Sequence, residues 1–303
     1  MIILNNFYIL KKSLFKTQYF CYNVIYVAKG GRDLRYSDLC DVLKNSGIEN
    51  FAQEAEILIE EFCGAVSDGK EYVSPRLEAA VKKRCSGYPL QYIIGKWWFC
   101  RCEFEVGEDC LVPRPDTECV VEEAVRLLPK DSLFADLCTG SGCIAISLLD
   151  LRRDLSGVAV ELYPATLEIA RRNAVKNSVS ERLSFVEGDV LAGGVLGDLK
   201  LDAIISNPPY IRSEVVKSLV GEVTYEPRAA LDGGEDGLVF YRAIVENYRR
   251  NLCDDGCFIF EIGYDQAADL EALAENSGFS CRIVKDLGSN DRVAVLKRQK
   301  GDF

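Results

Sequence analysis

The chain has 303 residues, 48% of them apolar, enough to bury a sizeable core and suggesting one large domain with a smaller companion. A formal net charge of −11 argues against a partner held mainly through phosphates, because nucleic-acid binding leans on clustered Lys and Arg. No apolar run approaches the roughly 18 to 20 residues of a membrane span, and a chain without histidine can have no imidazole base, no Ser-His-Asp triad and no histidine metal ligand.

In chain order, residues 1–32 contain no acid and are rich in Tyr, Phe, Ile and Lys. They lack the Arg and Ser enrichment of a transit peptide and are expected to be a poorly ordered extension. Residues 33–86 are predicted to be a small helical domain. "YSDLCDVLKNSGI", "NFAQEAEILIEEFCG" and "SPRLEAAVKKRCSG" each space apolar residues three or four apart, between Ser or Asn starts and Gly stops. Residues 87–112 follow, with short aromatic and β-branched runs broken by Gly that suggest a hairpin linker.

From residue 113 to 303 strands and helices alternate. Apolar runs at "LFADL", "GVAV", "LSFVEG", "LDAIIS", "GCFIFEIG", "CRIVK" and "RVAVLKR" are separated by amphipathic stretches such as "PATLEIARRNAVKN". The expected fold class is therefore α/β, a seven-stranded Rossmann-like sheet covered on both faces.

The 13 cysteines, an odd number scattered along the chain with no signal peptide before them, fit a reduced, cytoplasmic protein. Cys100 and Cys102, Cys138 and Cys143, and Cys253 and Cys257 are close pairs without a repeated C-x-x-C knuckle. They read as small buried hydrophobes, and no metal is expected.

The chemistry concentrates at strand ends. In "ADLCTGSGCIAISLL" Asp136 closes the first strand, Gly140 and Gly142 allow close backbone approach, and a helix starts at once. That is the geometry for a nucleotide-bearing ligand. The second strand ends in Glu161, where doubly wound folds place an acid that binds ribose hydroxyls, and the third ends in "EGDV", which offers Asp189 near an adenine amino group. Those acids suit a dinucleotide enzyme and an S-adenosylmethionine enzyme equally.

The fourth strand separates the two. It runs into "SNPPY", and two prolines remove two backbone donors and fix φ, so residues 207–210 cannot extend a sheet and must hold a rigid shape of their own. Asn207-Pro208-Pro209-Tyr210 after strand four, with the glycine turn after strand one, resembles the methyltransferases that act on planar NH2 groups. "GYPLQYIIG", "LVPRPDTE", "YEPRAALDGGEDGL" and "NDRV" narrow this. Over about residues 35 to 299 the chain is similar to the HemK-type release factor glutamine methyltransferases.

The resemblance implies S-adenosylmethionine as donor, S-adenosylhomocysteine as product, and N5-methylation of the glutamine in the Gly-Gly-Gln motif of peptide chain release factors. It implies a seven-stranded methyltransferase domain behind a helical N-terminal domain and a hairpin. Asp136, Cys138, Thr139, Gly140, Ser141, Gly142, Glu161, Asp189, Val190, Asn207 and Thr117 are the cofactor-side candidates. Asn207, Pro208, Pro209 and Tyr210 would hold the glutamine, with Asn207, Pro208 and Tyr210 catalytic. The helical domain and the "TYEPRAALDGGEDG" loop are candidates for gripping the protein substrate. The chain is expected to be monomeric, with no direct contact to nucleic acid or membrane.

One residue departs from the family pattern: Cys138 stands where many members have glycine. The turn "DLCTGSGCIAI" also resembles a sister enzyme that methylates a glutamine of a large-subunit ribosomal protein, but that sister typically lacks PRPDTE. Two further readings are an adenine-N6 DNA methyltransferase, for which no target-recognition domain can be fitted after Tyr210, and a catalytically inactive binding module.

Overall fold

The computed structural model describes residues 34–67 and 69–299. The expectation for residues 1–32 lies outside the described residues. The described chain divides into two compact units, one comprising the residues up to Gly95 with Gly221–Tyr225, the other Lys96–Val220 with the residues from Glu226 onward.

In the smaller unit the two-residue strands β1 (Leu34–Arg35) and β2 (Glu71–Tyr72) pair antiparallel. Around them lie α1 (Tyr36–Asn45), α2 (Phe51–Cys63), α3 (Pro75–Cys85) and the short α4 (Leu90–Ile94). The start of α3 shows why the chain turns helical there. The Ser74 hydroxyl accepts the Leu77 N–H at 3.3 Å, Pro75 fills the first turn where no donor is needed, and Lys82, Lys83 and Arg84 face the negative end of the helix. Leu39, Val42 and Leu43 of α1, Ala55, Leu58 and Ile59 of α2, and Leu77, Ala80 and Val81 of α3 are buried. Each set recurs at helical spacing and forms one apolar stripe. Arg84 is buried in this unit and paired with both Glu54 and Glu222.

The larger unit begins with an antiparallel hairpin of β3 (Lys96–Phe99) and β4 (Cys102–Glu105). Next come α5 (Glu118–Leu127), β5 (Leu133–Leu137), α6 (Cys143–Leu151), β6 (Ser156–Glu161), α7 (Pro164–Lys176), β7 (Leu183–Glu187) and β8 (Leu201–Ser206). After α8 (Ser213–Ser218) the chain continues through α9 (Val239–Tyr248), β9 (Leu252–Glu261), α10 (Ala267–Asn276), β10 (Phe279–Lys285) and β11 (Asp291–Arg298).

Seven strands form one sheet in the order β10-β11-β9-β8-β5-β6-β7, on the seven runs expected from the sequence. Strand β11 is antiparallel to both neighbours and the remaining pairs are parallel. Central residues such as Phe134, Ala135, Ile204, Ile205, Phe258 and Phe260 are fully buried. Covering on both faces is why these strands read as apolar runs and not as alternations. Strand β5 has β6 on one side and β8 on the other, so the strand order reverses there. Ligands of open α/β sheets bind outside the carboxyl ends of the strands at such a reversal.

Candidate active site

Parallel pairing sets the site. Leu137 and Ser206 are register partners, and the Ser206 hydroxyl donates to the Leu137 carbonyl at 2.6 Å. Strands β5 and β8 therefore end side by side, and the glycine turn and the NPPY segment leave the sheet as neighbours.

On the β5 side, the turn depends on left-handed backbone, with φ of 58° at Cys138, 57° at Gly140 and 83° at Gly142. A side chain at Gly142 would bring its Cβ to 2.7 Å from Cδ1 of Ile146, whereas at Gly140 it would meet open space. Asp136 is fully buried beneath the turn; its Oδ2 accepts the Thr139 hydroxyl at 2.6 Å and the Ala145 N–H at 3.2 Å. Burial pushes its carboxyl up to about 7 despite those two donors.

Glu161 ends β6 and spreads its two oxygens. Oε2 accepts the Gly140 N–H at 3.0 Å, while Oε1 accepts the N–H groups of Leu162 at 3.0 Å and Tyr163 at 3.2 Å. Burial raises its pKa and the three backbone donors work against that rise. After β7, Asp189 accepts the Leu191 N–H at 2.8 Å, and the Val190 carbonyl accepts the Tyr248 hydroxyl at 3.1 Å.

On the β8 side, Asn207 donates from Nδ2 to the Thr117 hydroxyl at 3.2 Å, which leaves Oδ1 as its acceptor. The Tyr210 hydroxyl donates to Oε1 of Glu261 at 3.3 Å, and its carbonyl accepts Nε2 of Gln266 at 3.2 Å. Two glycines of the "LDGGEDG" loop lie directly on this backbone. A Cβ at Gly233 would stand 2.6 Å from Cα of Tyr210, and one at Gly237 would stand 2.5 Å from the Tyr210 carbonyl oxygen. The Ile211 N–H donates to the Leu231 carbonyl at 2.9 Å and the Gly233 N–H to the Ile211 carbonyl at 2.8 Å, which straps the loop to the segment after NPPY.

Between the two sides lies a cavity of about 450 Å³. Thr117, Cys138, Thr139, Gly140, Ser141, Glu161, Asp189, Val190, Asn207 and Pro209 line it, with Val112, Arg114, Tyr163, Ala229 and Phe240 among its walls. Four sequence candidates do not line it: Asp136, Gly142, Pro208 and Tyr210. Asp136 braces the turn from below, Gly142 starts α6, Pro208 is buried, and Tyr210 packs against the core of the sheet.

Three contributors escaped the sequence reading. Glu226 is buried and accepts Arg114 and the Val112 N–H, tying "LVPRP" to "YEPRAAL"; its presence inside a motif was the available signal. Asn173, fully buried on α7, accepts the Glu105 N–H at 2.6 Å and donates to the Ser141 carbonyl at 2.9 Å, and so joins the hairpin to the glycine turn. A polar residue amid "ARRNAV" carries no such signal. Glu261 ends an apolar strand, as Glu161 does, and that parallel would have found it.

Among the described residues no cluster of Cys, Asp and Glu is arranged to hold a metal ion, and no helix is long and apolar enough to cross a membrane. Burial pushes the Cys100 thiol up to about 12 and the Cys102 thiol up to about 11. At neutral pH they are unreactive. What the arrangement offers a ligand is a carboxylate at a strand end, apolar walls, a rigid turn with open space above Gly140, and the Asn207 Oδ1 acceptor opposite.

Residues 117–248 match the methyltransferase small domain family. The chain is 36% identical over 268 residues to a release factor glutamine methyltransferase of Caulobacter vibrioides, covering 84% of this chain and 92% of that one. It is 38% identical over 262 residues to a release factor glutamine methyltransferase of Geobacter sulfurreducens, covering 83% and 91%. Among solved structures, the hMettl16 catalytic domain, in complex with a MAT2A 3'UTR hairpin, shares the fold with a TM-score of 0.53 at 14% identity, covering 77% of this chain and 85% of that one.

Proposed function

The chain belongs to the release factor glutamine methyltransferases, and from that premise we infer that it transfers a methyl group from S-adenosylmethionine to the side-chain amide nitrogen (N5) of the glutamine in the Gly-Gly-Gln motif of peptide chain release factors. The strongest support from the geometry is the register of β5 and β8, which sets Asn207 and Pro209 across one cavity from Cys138, Gly140 and Glu161.

The residues present fit such a donor. Glu161 offers its carboxylate to a ribose, Gly140 leaves space above the turn, Thr139 and Ser141 border it, and Val160 and Val190 give apolar surface for a base beside Asp189. Thr117 holds Asn207 from behind. Bound there, S-adenosylmethionine supplies an electrophilic methyl group and leaves as S-adenosylhomocysteine.

An amide nitrogen is a poor nucleophile because its lone pair is delocalised into the carbonyl. Asn207 and the Pro208 carbonyl therefore act by orientation, accepting the two N–H groups of the glutamine amide and aiming its nitrogen face at the methyl group. Such positioning is worth several kcal/mol, up to roughly 7–11 in favourable cases. As transfer proceeds, positive charge grows on nitrogen, and acceptor dipoles stabilise that state better than the neutral amide. The proton leaves to water afterwards. Tyr210, whose ring packs against the sheet core, anchors the segment that carries these acceptors, while Pro208 and Pro209 keep them from drifting.

The test is incubation of the purified chain with labelled S-adenosylmethionine and, separately, a release factor, the large-subunit ribosomal protein and duplex DNA. Label is expected on the release factor alone and should vanish when its Gly-Gly-Gln glutamine is replaced. Label on the ribosomal protein or the DNA instead would reassign the substrate.

A further inference from the structure

Glu261 ends β9 and is 2% exposed. Three sequence motifs meet around it. NPPY contributes Tyr210, whose hydroxyl donates to Oε1. LVPRPDTE contributes Thr117 and Asp116, and NDRV contributes Arg292, whose guanidinium bridges Asp116 and Asp286 at 3.1 Å each. From α9 the Tyr241 hydroxyl donates to the Glu261 carbonyl at 2.8 Å.

Oε2 of Glu261 has no partner among the described residues. Burying a carboxyl with one oxygen unpaired costs free energy that an apolar side chain of similar volume would not. Burial pushes this carboxyl up to about 7 even though Thr117, Arg292 and Tyr210 all pull it down. Stability does not account for an acid here. Among the side chains around it, the tyrosine of NPPY donates to Oε1 with Thr117 beside it, and the next turn of chain serves the same tyrosine. Gln266 donates from Nε2 to the Tyr210 carbonyl and the Gly237 carbonyl, both at 3.2 Å, while its Oε1 is held by the Gly263 N–H at 2.9 Å.

We propose that Glu261 is a positioning residue for methyl transfer, fixing the Tyr210 ring through its hydroxyl while Gln266 fixes the same residue through its carbonyl. This rests on the reading that the NPPY segment, which Tyr210 anchors, holds the glutamine amide. A tyrosine anchored at its backbone alone can still swing its ring about the side-chain torsions, and a misplacement of about 1 Å near the reacting atoms can cost roughly a hundredfold in rate. Glu261 removes that freedom without touching the substrate.

The experiment is a double-mutant cycle on the full chain with release factor and labelled S-adenosylmethionine, using Glu261→Ala, Glu261→Gln, Tyr210→Phe and the combinations with Tyr210→Phe. Glu261→Ala should lower kcat about tenfold or more while cofactor Kd stays within about twofold. Glu261→Gln, which keeps an oxygen acceptor, should recover most of that loss. In the Tyr210→Phe background either change should cost less than about twofold more, because the hydroxyl through which Glu261 acts is gone. Costs that multiply in full, or a glutamine variant as slow as the alanine variant with normal cofactor affinity, overturn the proposal. If Glu261→Ala does not fold, Glu261→Leu in the wild-type and Tyr210→Phe backgrounds replaces it: a fall of about tenfold that disappears in the Tyr210→Phe background supports the proposal, and equal costs in both backgrounds overturn it. No transfer to release factor by the wild type would instead overturn the substrate reading on which the proposal rests.

Discussion

On the side of the cleft proposed to hold the cofactor the shaping residues are close in sequence: Cys138 to Gly142 follow β5 directly, and Glu161 at the end of β6 accepts the Gly140 N–H. On the amide side they come from far apart. The four residues after β8 are held by Gly233 and Gly237 of one loop, by Glu261 at the end of β9 and Gln266 beyond it, and by Thr117 before α5. A nucleotide presents the same diol and base to every enzyme that binds it, so a local turn and one acid suffice. An amide that must be aimed to within a fraction of an ångström requires bracing from several directions.

The comparison breaks most visibly at Gly233. Its missing side chain leaves room for the backbone of Pro209 and Tyr210, and a Cβ would meet Cα of Tyr210 at 2.6 Å and the Pro209 carbonyl oxygen at 2.7 Å. Backbone cannot swing away as a side-chain tip can. Gly233→Ala should therefore cost toward the upper end of the roughly 1–3 kcal/mol typical of overpacking and lower turnover on release factor by more than about a hundredfold. Cofactor affinity, set on the other side, should change by less than about threefold. Wild-type turnover would mean that the loop does not shape NPPY.

That asymmetry also explains what could be read from the sequence. All seven strands were legible because each is an apolar run bounded by polar or glycine breaks, and the three longer helices of the smaller unit were legible from spacing and caps. The five-residue α4 was not, since "LQYII" is too short to show a helical period. The positions of Glu161 and the glycine turn at the cavity were legible because both follow from strand ends. The bracing of Tyr210 was not. Glu261 could be marked as a strand-end acid, but its partner, like that of Gln266, is set only when β9 is laid beside β8, and "FEIGYDQ" does not record that pairing. Gly233 and Gly237 were read as parts of a motif, but a glycine required for close approach cannot be told from a glycine required for a turn until the neighbouring backbone is known.

Asn207 should give the next largest effect. Asn207→Ala removes an acceptor and leaves a substrate N–H unpaired in a water-poor site, which typically costs about 1–3 kcal/mol. At least a tenfold fall in turnover is expected, with cofactor binding little changed. Asn207→Asp keeps an oxygen in nearly the same place and exchanges the Nδ2 donor facing Thr117 for an acceptor, which the rotatable Thr117 hydroxyl can satisfy by donating. It should retain more turnover than the alanine variant. Wild-type turnover in Asn207→Ala, measured with saturating cofactor, would remove Asn207 from the orienting role.

On the cofactor side the expected effect is on affinity. Glu161→Ala takes away the group that would meet the ribose and the acceptor of the Gly140, Leu162 and Tyr163 N–H groups. Those donors border the cavity and can be satisfied by water, so the fold should survive. Cofactor Kd, measured by calorimetry, should rise about tenfold or more, while kcat at saturating cofactor stays within about threefold, the signature of lost uniform binding. A large fall in saturated kcat with unchanged Kd would place Glu161 at the reacting centre instead.

The smallest effect is expected at Cys138, where the cofactor side departs from the family's glycine. Its φ of 58° lies in the left-handed region, which costs a residue with a Cβ of order 1–3 kcal/mol. Cys138→Gly relieves that strain but adds roughly 0.5–1 kcal/mol of backbone entropy lost on folding and gives up the burial of a partly buried thiol against the sheet core. These changes nearly cancel. Cys138→Ala keeps the Cβ and the strain while losing the same sulfur, so it should be the less stable of the two. Thermal melts should therefore rank the glycine variant at or slightly above the wild type and the alanine variant below both. Cofactor affinity should stay within about threefold throughout, because the Gly140 and Glu161 contacts do not use the thiol. A glycine variant that melts well below the alanine variant would mean that the turn is held by the sulfur and not by its backbone.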